Sequence, residues 1–386
     1  MPICNQIAWT LFVRNILLFL VPIVLYFAVT ELPFYYAGYV THELSDVDRC
    51  IALQRENPSA LYGFGYSEQT EYYKLANADY FQAPVIALGT SRVMQIKSAY
   101  FSKAFYNCGG AVGGNYNQYR NFLENLSYTP DLIILGLDAW VFNGEFNDTL
   151  GTVDHFIPIE KAEKTAVEKA SVAHHIRADW KKKWNFGDLD AYENNLGFNG
   201  RIKDSGYMMD GSYYYGDMYR YPEIQGDYRF VQTLEQIETG TFRFVWNDHI
   251  DPNTLDELEN LLAYCRDNHI EVVGFLTPYP PAVNQAMADS GNYAYLDEIE
   301  PACAELFRRY DYEFYNYMSV ENFPVDDDCF MDGIHGSEIV YAYITEDMVG
   351  QGSVLSAYVD ADVLGRLLAD AYDGKSFYNP DERPVV

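Results

Sequence analysis

The chain has 386 residues, enough for one large domain or two smaller ones, and its 49% hydrophobic and 21% charged residues exclude an intrinsically disordered protein. With 26 basic and 56 acidic residues the net charge is −30 at pH 7. That charge argues against nucleic acid or an anionic membrane surface as a partner, but it is compatible with a polysaccharide.

Two residue types add to this picture. The six cysteines have no Cys-x-x-Cys or zinc-ligand spacing and are too sparse for a disulfide scaffold, so neither a metal nor another cofactor is predicted. The 35 tyrosines are many. Because tyrosine combines a flat apolar face with a polar tip, such an excess suits a sugar-facing surface, and a tyrosine-rich core is the alternative.

The first element in chain order is an apolar segment. Residues Ile16 to Tyr39 are mostly apolar, and Glu31 is their only charge, so they supply the roughly 20 residues that a membrane span needs. Arg14 precedes the segment, which places the N-terminus in the cytoplasm and the rest of the chain outside. A cleaved signal peptide is the alternative, but the apolar run is long and no small-x-small cleavage site follows it. We therefore predict an N-terminal transmembrane anchor over residues 1–40.

The remaining chain alternates between strand and helix patterns. A polar connector (41–83) leads into a domain (84–386), which is interrupted by an insertion at about 139–250. Short apolar runs predict strands at 84–88, 105–108, 131–138, 271–277 and 313–318. Helical periodicity is found at 116–126, 158–184, 255–268, 293–310, 337–348 and 360–372, with Asp251 as the N-cap of the third helix. This order predicts an α/β fold, with a parallel sheet and helices on both faces. The insertion, which contains Tyr213-Tyr214-Tyr215, forms either a wall of a binding cleft or a surface excursion without function.

Chemistry-bearing residues cluster where the predicted strands end. Ser91 follows the first strand within Gly89-Thr90-Ser91-Arg92, and Asp332 stands three residues before His335 near the C-terminus. In an open parallel sheet ligands bind at the carboxyl ends of the strands, so these loops meet at one rim. A histidine can act as a base at neutral pH, and an acid beside it fixes its tautomer. Each motif also has a structural alternative, since Ser91 could be a helix cap and the Asp-x-x-His segment a surface loop.

A serine nucleophile needs donors for the tetrahedral oxyanion. The Ser91 amide, at a helix start, is one candidate. Gly113, in the glycine-rich stretch 109–114, offers a second amide without a side chain in the way. The alternative for these glycines is a tight turn that binds nothing.

Four segments, taken in order, resemble the blocks of the SGNH (GDSL-like) hydrolase superfamily. They are Gly89 to Arg92, Asn107 to Gly114, Gly136-Leu137-Asp138 and Asp332-Gly333-Ile334-His335. The resemblance covers roughly residues 84–350 without the insertion, and it implies a three-layer, flavodoxin-like fold. An anchor followed by such a domain is similar to the D-alanyl transfer protein of teichoic acid modification and to polysaccharide O-acetyltransferases.

The resemblance also implies residue roles. Ser91 would be the nucleophile, His335 its base and Asp332 the acid that orients the histidine. Gly113 matches the glycine of the second block, with one extra residue after Asn107. Asp138 stands where the superfamily has its oxyanion-hole asparagine, so either Asp138 is protonated, or it binds an acceptor hydroxyl, or Asn115 or Asn117 substitutes for it. Arg92 joins Gly113, Asp138 and Asn115 as a candidate oxyanion or substrate-binding residue.

Three functions follow from these observations. The first is transfer of an acyl group through Ser91 to or from hydroxyls of a cell-surface glycan or polymer in the cell envelope, with a multi-pass membrane acyltransferase delivering the acyl donor. The second is an extracytoplasmic carbohydrate esterase or deacetylase, in which water is the acceptor. The third is a non-catalytic surface-assembly protein on the same fold.

Overall fold

A parallel β-sheet forms the centre of the protein in the computed structural model, which describes residues 2–147, 155–224 and 227–379. Its five strands are β1 (Val85–Leu88), β2 (Phe105–Asn107), β3 (Leu132–Leu137), β6 (Glu271–Leu276) and β7 (Glu313–Asn316), in the spatial order β2-β1-β3-β6-β7. Every neighbouring pair is parallel, with Ile86 opposite Ile133 and Ile134 opposite Val273. The residues of β1 and β3 are all buried, as expected for strands covered on both faces by helices. The predicted α/β class with a parallel sheet is therefore confirmed.

The helices and the remaining strands complete the chain. The helices are α1 (Pro2–Thr30), α2 (Leu32–Val40), α3 (Val47–Glu56), α4 (Thr70–Phe81), α5 (Tyr116–Asn125), α6 (Gly144–Asn147), α7 (Ala166–Asp179), α8 (Gly197–Lys203), α9 (Asp217–Arg220), α10 (Val231–Thr239), α11 (Pro252–Asp267), α12 (Pro281–Ser290), α13 (Leu296–Arg309), α14 (Glu338–Gly350) and α15 (Ala361–Ala369). A short antiparallel hairpin, β4 (Gly206–Tyr207) and β5 (Tyr213–Tyr214), lies in the insertion.

The N-terminal apolar segment divides into two parts. The stretch Trp9–Val40 has a mean hydropathy of 2.2 and is long and apolar enough to cross a membrane, a property that signal sequences share. From Trp9 to Thr30 its large apolar side chains are exposed, and at 1.5 Å per residue this part is about 33 Å long, close to the hydrocarbon thickness of a bilayer. After Glu31 the chain continues as α2, which packs on α7 of the insertion and buries Phe34, Ala37 and Gly38.

The region predicted as a connector is more ordered than its composition indicates. It contains α3 and α4, and it is tied to the insertion through Glu43, whose carboxylate is buried. This carboxylate accepts hydrogen bonds from the backbone amides of Tyr66 at 2.6 Å, Ser67 at 2.8 Å and Phe198 at 2.9 Å. The Glu43 side chain thus joins the start of the connector to a later part of the connector and to the insertion.

Several predicted boundaries need correction. Only α7 is helical within 158–184, because residues 158–165 are extended and the chain turns after Asp179. The prolines in Pro278-Tyr279-Pro280-Pro281 favour a rigid exit loop after β6, but in the structure Pro281 is the first residue of α12, a position where proline costs no hydrogen bond. The N-cap role of Asp251 is confirmed, because its side chain accepts from the Asn253 amide at 3.0 Å. Residues 380–386 of the predicted domain lie outside the described part of the chain.

The cysteines within the described domain are buried thiols. Cys50, Cys108, Cys265, Cys303 and Cys329 are all free. Burial raises the pKa of Cys265 to about 12, so this thiol stays protonated and packs as a small apolar side chain.

Candidate active site

Ser91 lies at the carboxyl end of β1. The strand ends at Leu88, and a 3₁₀ turn, Ser91–Gln95, begins at the serine itself. Thr90 caps this turn, because its hydroxyl accepts from the Arg92 amide at 3.3 Å. Thr90 therefore does the capping that a serine after a strand often does, which leaves the Ser91 hydroxyl available for another partner.

That partner is His335. The Ser91 Oγ lies 2.8 Å from His335 Nε2, and His335 Nδ1 lies 2.7 Å from Asp332 Oδ2. An ionised carboxylate can only accept, so Nδ1 carries the proton and Nε2 presents its lone pair to the serine hydroxyl. The three side chains thus form one continuous hydrogen-bonded chain from carboxylate to hydroxyl, although 244 positions separate the serine from the histidine.

The Asp332 carboxylate is stabilised in its ionised form. Burial by itself would raise its pKa, but the charge and side chain of His335 together with two backbone amides lower that pKa to about 2. Those amides belong to Ile334 and His335 and donate to Asp332 Oδ1 at 2.9 and 2.8 Å. Asp332 consequently holds the imidazole and its own loop in place at the same time.

The insertion supports this loop from outside. Asp227 Oδ2 accepts from the Gly333 amide at 3.1 Å and from the Thr233 hydroxyl at 2.6 Å. A Cβ added at Gly333 would lie 2.2 Å from Thr233 Oγ1, so only glycine permits this close approach. On the other side the Tyr215 ring lies 6.2 Å from the His335 ring, between centroids.

Arg92 and Asp138 form a buried ion pair beneath the serine. Their side chains are 0% and 1% exposed, with Arg92 Nη1 and Asp138 Oδ1 3.3 Å apart. Asp138 also accepts from the Thr90 hydroxyl at 2.6 Å and from the Thr277 hydroxyl at 2.7 Å. Arg92 donates in addition to the carbonyl oxygens of Ile334, at 2.9 Å, and Pro278. Both oxygens of Asp138 are therefore engaged inside the protein, and the pair links the loops that carry Ser91 and His335.

Backbone amides near the serine are the candidate oxyanion donors. The Ser91 amide stands at the first position of its turn and has no acceptor among the described residues. The Gly113 amide makes one long bond, 3.3 Å, to the Gln118 side chain, and it remains close to solvent. The Gly110 amide donates to the Gly89 carbonyl at 3.0 Å. Asn115 is buried and caps α5 by accepting from the Asn117 amide at 3.0 Å.

A cleft of about 440 Å³ opens above Ser91. The insertion supplies much of its wall, including the side chains of Trp140, Tyr207, Phe242 and Arg243. The full lining is Glu68, Thr70, Thr90, Ser91, Gly110, Val112, Gly113, Trp140, Phe146, Tyr207, Phe242 and Arg243. Of the two interpretations of the insertion, the structure therefore favours a cleft wall.

The structure brings together most of the residues singled out in the sequence. Ser91, His335 and Asp332 are in contact, and Gly113 lines the cleft. Arg92, Asp138 and Asn115 are buried beside or below it, with their polar atoms engaged by the protein. Within the described residues no group of three or more His, Cys, Asp and Glu side chains is placed to hold a metal ion.

Sequence reasoning missed the supporting and lining residues. Asp227, Thr233 and Tyr215 brace the histidine loop, and Arg243 faces the cleft. All four lie in the insertion, where no helical or strand periodicity marks them. The Tyr213-Tyr214-Tyr215 run is the one signal in the sequence, and it assigns no role to Tyr215.

The fold and the geometry define an α/β protein with a Ser-His-Asp arrangement at the carboxyl edge of a parallel sheet and an apolar N-terminal helix. Comparisons with protein-family models, with curated proteins and with solved structures each gave no match.

Proposed function

We propose that this protein is a membrane-anchored serine acyltransferase of the SGNH type, which moves an acyl group to a hydroxyl of an extracytoplasmic glycan or polymer. The observation that carries the proposal is the unbroken contact from Asp332 through His335 to Ser91, at 2.7 and 2.8 Å. Support also comes from the strand order, in which the second strand is at the edge and the first is beside it, as in flavodoxin-like sheets.

The reaction proceeds in two steps, acylation of Ser91 and transfer of the acyl group to the acceptor. In the first, Ser91 Oγ attacks the carbonyl carbon of the donor while His335 Nε2 takes the hydroxyl proton. The bond from that carbon to the leaving group then breaks, and the leaving group departs with the proton from Nε2. In the second step the acceptor hydroxyl gives its proton to Nε2 and attacks the acyl carbon. The ester bond to Ser91 breaks, and the serine recovers the proton.

Two features of the site assist these steps. The amides of Ser91 and Gly113 are the donors available to the tetrahedral oxyanion. Asp332, ionised because its pKa is about 2, stabilises the imidazolium that forms while His335 holds the proton. Asp138 has no part in binding the oxyanion in this mechanism, since Arg92 and two threonines occupy its oxygens.

The cleft lining supports a sugar-bearing substrate. Trp140, Tyr207 and Phe242 present aromatic surface beside Ser91, and such rings suit the faces of sugars. An esterase with water as acceptor would use the same side chains. The two activities differ in whether the acceptor excludes water from the acyl-serine.

The membrane placement is part of the proposal. The N-terminus lies in the cytoplasm and the domain outside, and a multi-pass membrane protein delivers the acyl donor. Arg14 lies near the N-terminal end of the exposed apolar stretch 9–30, and this position supports the arrangement. The packing of α2 on α7 supports it too, because it keeps the domain at the membrane surface.

The test is covalent labelling of the full-length protein in detergent with a fluorophosphonate probe. We expect the wild type and the Ser102→Ala control, which alters an exposed serine, to be labelled, and Ser91→Ala to remain unlabelled. A wild type that never reacts contradicts the proposal and favours a non-catalytic assembly protein, whereas labelling that survives in Ser91→Ala contradicts the assignment of Ser91 as the nucleophile. With 4-nitrophenyl acetate as donor and a neutral oligosaccharide as acceptor, acetylated sugar indicates transfer, and acetate alone indicates an esterase.

A further inference from the structure

Arg243 is a cation in the cleft without a counter-ion. It lies in the 3₁₀ turn Phe242–Phe244 and lines the cleft together with Ser91. Desolvation lowers the pKa of its guanidinium. Among residues 2–147, 155–224 and 227–379, no side chain or carbonyl forms an ion pair or hydrogen bond with it. Arg243 is partly buried, and a guanidinium that loses water without gaining a partner is destabilised, which is the usual reason for such a group to be paired.

The acidic groups that attract Arg243 are already occupied. The leading ones are Asp138 and Asp332. Asp138 is bound by Arg92, Thr90 and Thr277, and Asp332 by His335 and the Ile334 amide. Both oxygens of each carboxylate thus accept hydrogen bonds from other groups, and neither carboxylate forms an ion pair with Arg243. The site therefore attracts Arg243 toward the reacting groups but does not neutralise it.

Aromatic rings fix the position of the guanidinium. It lies 4.5 Å from the centroid of the Phe242 ring and 5.3 Å from that of Trp140. Trp140 also contacts Arg92, at 4.9 Å from the ring centroid, so the same indole packs against a fully bonded arginine and one with open donors. Stacking of this kind holds the planar group while leaving its N–H donors free.

The backbone before Arg243 is strained. Phe242 has a φ of +57°, a conformation that a bulky side chain rarely adopts, and its ring is 56% exposed. Buried Phe244 anchors the turn from the other side. Strain of this kind persists where the surroundings impose it, and it is concentrated at ligand-binding positions.

From these four observations we infer that Arg243 is a specificity residue, which binds an anionic oxygen group, carboxylate or phosphate, on the molecule that exchanges an acyl group with Ser91. This inference rests on the proposed function and adds a substrate class to it. A planar fork with free donors matches carboxylate and phosphate oxygens in a bidentate manner. Glu68 is the one acidic residue in the cleft lining, and desolvation raises the pKa of its carboxyl.

The first test is binding, and it does not depend on catalysis. Full-length Ser91→Ala protein in detergent is titrated with benzoate, phenylphosphonate and their neutral isostere benzamide, followed by ligand-observed NMR. We expect at least one anion to bind more tightly than benzamide. The preferred anion distinguishes a carboxylated acceptor from a phosphate-bearing one. Adding Arg243→Gln should weaken binding of that anion by about 10-fold or more, as for other hydrogen bonds to charged groups, while benzamide is unaffected. The control, Arg229→Gln, changes an arginine outside the cleft.

The second test uses hydrolysis in the Ser91 protein. The substrates are 4-carboxyphenyl, 4-phosphonophenyl and 4-carbamoylphenyl acetate, which differ only in the para substituent. The first two substituents are anionic and the third is neutral. Arg243→Gln should raise KM for the preferred anionic ester about 10-fold, with the carbamoyl ester unchanged, and Arg243→Lys should restore part of the loss. Equal losses for all three esters, or anion binding that survives Arg243→Gln, would overturn the inference. An absence of hydrolysis with anion binding intact would count against the proposed function alone.

Discussion

Replacing Asp138 by asparagine separates a structural role from a role in catalysis. The change keeps the size of the side chain but leaves the Arg92 guanidinium, whose side chain is 0% exposed, without its counter-ion. Removing one partner of a buried ion pair typically costs about 3–5 kcal/mol. Because Arg92 still donates to the Ile334 and Pro278 carbonyls, we expect a loss near the lower end, about 3 kcal/mol of unfolding free energy.

Urea unfolding in detergent, followed by tryptophan fluorescence, measures this loss as a shift of the midpoint with an unchanged slope. Thr277→Val is the matched control, since it removes one hydrogen bond to the same carboxylate but keeps the ion pair. It should cost only about 1 kcal/mol.

The sign of the effect on kcat decides between the two roles. If Asp138 faced the developing oxyanion, asparagine would replace a repelling charge with a donor, and kcat would rise. With Asp138 bound to Arg92 and Thr90, we expect kcat to fall, because the loop that carries Ser91 loses its support. A rise in kcat, together with a stability loss below about 1 kcal/mol, the size of one ordinary hydrogen bond, would refute the structural role.

Two further predictions concern buried charges outside the site. Desolvation lowers the pKa of Lys74 from 10.5 to about 7, so between these values the unfolded chain binds one more proton than the native protein, and stability rises with pH. The unfolding free energy of the wild type relative to Lys74→Met should therefore rise by about 1.4 kcal/mol per pH unit from pH 7 toward pH 10, and parallel pH curves would contradict this. Glu43→Gln should lower the unfolding free energy by about 3 kcal/mol, because several amides lose a charged acceptor, whereas exposed Glu56→Gln should change it by less than about 0.5 kcal/mol. Equal midpoints for the two glutamine variants would show that the Glu43 carboxylate is not a structural link.

The central sheet was predictable because its signals are local. A run such as Leu132–Leu137 has no polar side chain, so it can only be a strand or helix buried on all sides, and its length favours a strand. The rim followed from topology, since the carboxyl ends of parallel strands share one edge. For that reason Ser91 and His335 could be expected to meet although they lie far apart in the chain.

The rest of the site depends on contacts that sequence patterns do not encode. The prolines in Pro278-Tyr279-Pro280-Pro281 favour a rigid loop after β6, yet Pro281 begins α12. Asp138 fits an oxyanion position by its place in the chain, but its partner Arg92 is 46 positions away and was itself considered a substrate-binding residue. Arg243 and Asp227 act only through the folded insertion, which has no periodicity to predict where its side chains lie.

The junction between α1 and α2 has a mechanical consequence. Glu31 is the only residue between the two helices, and its ion pair with Arg177, together with the packing of α2, leaves no slack between the exposed helix and the globular part. The exposed helix and the globular part are therefore joined without a flexible linker. In the proposed membrane-anchored arrangement the cleft would stay at one height above the bilayer, so a polymer substrate that extends outward would have to present its hydroxyls within that thin layer.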